Sequence, residues 1–142
     1  MDLTGKTVVY DGPTLDTVGT GWVLSDEYEV RVGTRYQLGY QLVCPEGMPT
    51  DGASIPRFFW RLLGHPMEAP YVKAAVIHDA GYRGYLVWRH KHVTRYYEEE
   101  HTRSEVDLLF RALLKDLGMG WCRRNVMYRA VRWFGGSSWT KR

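Results

Sequence analysis

The sequence predicts a small α+β domain: an N-terminal antiparallel β-sheet followed by about four helices, with a central buried helix carrying a His-Asp pair. Three observations carry this expectation. Short β-favouring runs, broken by glycines and turn residues, fill the first third of the chain. Apolar residues recur at helical spacing in the second half. The connections between the early strands are short, which implies antiparallel pairing. All 142 residues read as one domain, mainly strands over 1–45 and mainly helices over 55–135. With 44% hydrophobic and 25% charged residues the chain is neither disordered nor collagen-like, and six Trp, ten Tyr and four Phe point to an aromatic core, a sticky face, or both.

The strands are expected at Thr7–Tyr10, Gly21–Leu24, Tyr28–Val32 and Tyr36–Val43. Tyr28, Val30 and Val32 alternate with Glu29 and Arg31, the pattern of a half-buried strand. After Pro45 the texture changes. Pro56–Leu63 reads as a short helix stopped by Gly64, which Ser54 would cap. Residues 71–82 are apolar on nearly every side, so that helix should be buried. Residues 83–101 are polar and read as a long loop, a lid or a partner contact, with His90 and His92 solvated. Thr102 and Glu105 form a capping-box pair, which starts a helix at Arg103 that Gly118 ends. A last helix spans Trp121–Phe134, with Cys122, Val126, Met127, Ala130, Val131, Trp133 and Phe134 on its inner face and Arg124, Arg129 and Arg132 opposite.

No stretch approaches the ~20 apolar residues of a membrane span, and the opening residues lack the pattern of a secretory signal. Two distant cysteines, Cys44 and Cys122, read as small buried hydrophobes, which fits a reducing cytoplasm. The net charge of +3 is unevenly spread, because residues 121–142 hold six Arg and Lys and no acid. Such a segment implies an anionic partner surface or a solvated helix face.

The candidate chemistry centres on His78-Asp79. A buried Asp needs a partner. Side chains about 100° apart on one helix can reach a common site facing Ala75 and Tyr82. Arg103 and Asp107, spaced i,i+4, also point toward the core of their helix. Asp51, in the turn-rich link Thr50–Pro56, has no evident capping role. Gathered in one pocket, Asp51, His78, Asp79 and Asp107 would suit Mg, Mn or Ca, or Zn with more nitrogen, and the ion could activate water. Without metal, His78 would be a general base oriented by Asp107 or Asp51. The alternative is a structural network in which Arg103 pairs with Asp107 and Asp79.

Four motifs in order, Thr50-Asp51-Gly52-Ala53-Ser54-Ile55-Pro56-Arg57, Ala74–Asp79 with Tyr82, Arg103-x3-Asp107 with Phe110, and Tyr128-x2-Val131-Arg132-x-Phe134-Gly135, resemble the phage and prophage family called domain of unknown function 1353. The resemblance implies a phage or prophage origin and marks Asp51, Ser54, His78, Asp79, Tyr82, Arg103 and Asp107. Two other families are similar in chemistry alone: secreted phospholipases A2, with His-Asp-x-x-Tyr on a helix, and metal-dependent HD phosphohydrolases, here through His65, His78-Asp79 and Asp107.

Two functions follow as expectations. One is a phage- or prophage-encoded hydrolase-like protein, assisted by a divalent metal, acting on a phosphoester, lipid or cell-wall bond. In it His78, Asp79 and Asp107 are catalytic, and Asp51, Ser54, Tyr82 and Arg103 bind. The other is a non-enzymatic virion, tail or assembly component, or a host-defence inhibitor. It would contact phage structural proteins or an anionic surface through the basic C-terminal segment, with nucleic acid a less favoured partner.

Overall fold

The computed structural model describes residues 6–8, 15–18, 21–33, 40–50, 71–92, 95–98 and 100–139. The expected helix at 56–63, and with it Asp51, Ser54 and His65, lies outside the described residues. Strands β1 (Lys6–Val8), β2 (Leu15–Val18), β3 (Gly21–Leu24), β4 (Tyr28–Gly33), β5 (Tyr40–Cys44) and β6 (Pro49–Thr50) precede helix α1 (Val72–Arg83). Strands β7 (Val87–His92) and β8 (Arg95–Glu98) come next, and then helices α2 (Arg103–Asp116) and α3 (Trp121–Phe134). The α+β class holds, with three α-helices among the described residues.

The strands form two antiparallel sheets, one ordered β1-β4-β5-β7-β8 and one ordered β2-β3-β6. Alternation works as expected in β4, where Tyr28 and Val30 are buried. The expectation of a polar loop over 83–101 is corrected, because most of it is a β-hairpin that completes the larger sheet. Strand β7 pairs with β5, from Tyr40↔His90 to Val43↔Val87, and β8 pairs with β7. Trp88, which is 2% exposed, anchors the hairpin in the core. The charged run Arg89-His90-Lys91-His92 disguised it, and the partner strand that stabilises it lies more than forty residues away.

Helix α1 is buried continuously from Ala74 to Tyr82, because sheet and helix cover it on different sides. Its small residues permit close approach. A Cβ added at Gly81 would stand 2.6 Å from Val106 Cγ1, so glycine sets how tightly α1 and α2 pack. Helix α2 starts with the expected capping box, the Thr102 hydroxyl accepting from the Glu105 backbone while the Glu105 carboxylate accepts from Thr102 N–H. It buries Val106, Leu109, Phe110, Leu113 and Leu114, each worth about 1.5–3 kcal/mol of apolar burial where the side chain is large.

Helix α3 departs from expectation. Met127, Ala130 and Val131 are buried, whereas Trp121, Cys122, Val126, Trp133 and Phe134 are exposed. Among the described residues it packs against α2 along one narrow face, which leaves these apolar side chains largely exposed. Only Cys44 of the two cysteines is the buried hydrophobe expected. Burial, reinforced by the negative charge of Asp79, pushes its thiol well above the ordinary range and leaves it unreactive.

Candidate functional site

His78, Tyr82 and Asp107 meet between α1 and α2, all three fully buried. Asp107 is the hub. Its Oδ1 lies 2.8 Å from His78 Nε2 and accepts from the Tyr82 hydroxyl at 2.7 Å. Its Oδ2 accepts from Arg132 Nη1 at 2.7 Å, across the gap to α3. An ionised carboxylate only accepts, so Nε2 carries the hydrogen on His78. Nδ1 of His78 meets no hydrogen-bond partner among the described residues. The imidazole is instead clasped by rings, with Tyr82 and Phe110 centroids at 4.3 and 4.6 Å.

The electrostatics follow from that geometry. Burial alone would raise the Asp107 carboxyl, but the hydrogen bonds from His78, Tyr82 and Arg132 outweigh it and hold it below the ordinary carboxylate range. Burial, and then the Asp107 carboxylate, push the Tyr82 phenol well above its usual range, so it stays a donor. Asp107 in turn raises the Arg132 guanidinium. The cluster is an Arg132–Asp107 ion pair to which the His78 ring and the Tyr82 hydroxyl add hydrogen bonds.

Arg103 does not pair with Asp107 or Asp79. Its Nε donates to the Tyr82 hydroxyl at 3.0 Å, while Nη2 donates to the carbonyls of Val131 and Arg132 at 2.9 and 2.7 Å. A cation over the last carbonyls of α3 adds to the Gly135 N–H bond that Val131 already accepts, and it complements the helix dipole. The chain then has to pass close to the same cluster. A Cβ on Gly135 would lie 2.9 Å from the Tyr82 oxygen, and one on Gly136 would lie 3.5 Å from Arg103 Nη1. Trp139 closes the edge of Tyr82 in a T-shaped contact at 5.3 Å.

Asp79 goes elsewhere. It is fully buried, and its Oδ2 accepts from the Thr50 hydroxyl at 2.5 Å, at the end of β6. The step of about 100° between neighbouring helical residues thus sends His78 toward α2 and Asp79 toward the sheet. Of the seven residues singled out from the sequence, His78, Tyr82, Arg103 and Asp107 come together, Asp79 joins Thr50, and Asp51 and Ser54 lie outside the described residues. The residue missed is Arg132, which the helical pattern places on the basic face opposite the core. Its signal was present in the Val131-Arg132-x-Phe134-Gly135 motif, since Val131, Arg132 and Gly135 each serve this cluster.

The described part of the cluster is poorly suited to a metal. Both Asp107 oxygens and His78 Nε2 are engaged with protein groups. No group of three or more His, Cys, Asp or Glu among the described residues could hold an ion. Its chemistry is that of a clamp, tying α1, α2 and the C-terminal end of α3 at one point.

The chain is similar to an uncharacterized protein of Sinorhizobium fredii (strain NBRC 101917 / NGR234), y4jT, with 51% identity over 41 residues. That stretch covers 29% of this chain and 12% of the relative. No solved structure matches. A family profile matches residues 22–131, a span that runs from β3 through α1 and the β7–β8 hairpin to most of α3 and takes in His78, Tyr82, Arg103 and Asp107, while Arg132 lies just beyond it. On that match the chain belongs to the family described as Protein of unknown function (DUF1353).

Proposed function

We propose that this protein works by docking to a partner surface, as a non-enzymatic phage or prophage virion or assembly component, and that its His-Asp and Arg-Asp cluster is structural. One observation carries the reading: Asp107 and His78 are 0% exposed, and both Asp107 oxygens are occupied by three protein donors. A general base or metal-bound water has to meet substrate within hydrogen-bond reach, whereas a buried, paired cluster fixes how helices register. The exposed aromatics of α3 fit a docking role as well.

The competing reading is the divalent-metal-assisted hydrolase. It needs the cluster to open and Asp51 to join His78, Asp79 and Asp107. Thermal melts with Mg, Mn, Ca and Zn separate the two. A docking protein should melt at the same temperature with each ion, and Asp107→Asn should lower the melting temperature in every buffer alike. A metal-linked rise of several degrees that Asp107→Asn abolishes would overturn the docking reading, since an ion that binds the native state stabilises it by mass action.

A further inference from the structure

The docking reading leaves open which surface docks and onto what, and α3 answers both. Among the described residues its side chains include the four most exposed large hydrophobics: Trp133 at 71%, Trp121 at 68%, Phe134 at 47% and Val126 at 44%. Met127, Ala130 and Val131 face inward. At about 100° per residue, the pole opposite them is a ridge of Asn125, Arg129 and Arg132, of which only Arg129 is exposed, Asn125 accepting from Arg111 and Arg132 donating to Asp107, both on α2. Trp121 flanks the ridge on one side, and Cys122, Val126 and Trp133 flank it on the other. Arg132 is committed to Asp107 and Arg124 donates to the Met119 carbonyl, while Arg129 is exposed with no partner among the described residues. The whole of 121–142 holds six cations and no acid.

We infer that the outward face of α3 is an interfacial docking surface for anionic phospholipid headgroups. Indole rings settle at headgroup depth, where one edge is apolar and the other wet. The Arg129 guanidinium between them meets lipid phosphate while its stem lies along apolar surface. The contact is with the surface only, since no helix among the described residues is long and apolar enough to cross a membrane. Charge selects this occupant over a second copy of the chain, because two such faces would set Arg129, in a segment of six cations and no acid, against its like. Geometry selects it over nucleic acid. Trp121 and Trp133 stand twelve residues apart, about 18 Å along the axis, too far for neighbouring bases to stack on both, and Val126 and Cys122 offer no stacking plane. A single protein groove would want the apolar residues on one seam, whereas they lie on both sides of the ridge.

The test is sedimentation of the full chain with vesicles of phosphatidylcholine alone or with about 30% phosphatidylglycerol, with tryptophan emission recorded in parallel. The expected result is partitioning at least about tenfold stronger onto the anionic vesicles, a blue shift on binding, and weakening at high salt. Trp133→Ser and Arg129→Glu should each cut partitioning about fivefold or more with the melting temperature unchanged, since both side chains are exposed. Equal partitioning onto both vesicles would overturn the inference, as would variants that bind like wild type. So would tighter binding to an oligothymidine strand, or a solution dimer that Trp133→Ser dissociates. Failure here is distinct from failure of the docking reading, which is judged by the metal-dependent melts.

Discussion

Arg132 and Arg129 stand three residues apart on α3 and do opposite work. Arg132 reaches inward and neutralises a fully buried carboxylate, its side chain 32% exposed against 0% for Asp107. Arg129 points to solvent. The same residue type is therefore structural at one position and available for binding at the next turn. The difference lies in what the neighbouring helix presents: Asp107 waits opposite one arginine and nothing described waits opposite the other. Composition alone could not separate them.

The comparison can be broken most severely at its hub. Asp107→Ala should cost about 3–5 kcal/mol in urea unfolding, because it leaves a cation, an imidazole and a phenol without their shared buried acceptor. Equal stability to wild type would mean the clamp contributes nothing. Arg132→Ala removes one charge-assisted bond while His78 and Tyr82 still hold the carboxylate, so a smaller loss of about 1.5–3 kcal/mol is expected from the same urea unfolding.

Acid should sharpen the picture without any mutation. The Asp107 carboxyl is held below its ordinary range, so its contribution is complete above about pH 4, the unfolded value, and is lost as pH falls through the lowered folded value. A chemical-denaturation series from neutral pH downward should show stability falling on that acid limb. In Asp107→Asn, which has no proton to gain there, the limb should be flatter. The smallest effect is expected at the outer arginine. Arg129→Ala should change stability by no more than about 0.5 kcal/mol, and a larger loss would place that side chain in an unrecognised structural contact.

Much of the fold was legible because the signals are local. Thr102 and Glu105 announce the start of α2 through a box that two side chains close by themselves. Gly118 and Gly135 bracket the limits of α2 and α3, and continuous apolarity marks α1 as buried. The hairpin β7–β8 was illegible for the opposite reason, since its charged residues are tolerated only because β5 supplies the ladder from a distant part of the chain. The polar cluster was half legible. His78, Tyr82, Arg103 and Asp107 stand out as charged or polar groups in apolar settings, but which donor meets which acceptor depends on how α3 crosses α2.

The amino-acid sequence by itself determined that a His, a Tyr, an Arg and an Asp would be drawn into the helical core, because burying such groups without partners is too costly to leave to chance. Only the tertiary structure decided that Asp107 would be met by Arg132 instead of Arg103, that Asp79 would turn to Thr50, and that three of α3's four aromatics would remain exposed. Those outcomes turn on helix crossing and strand pairing, which join residues far apart in the chain and leave no periodic trace in it.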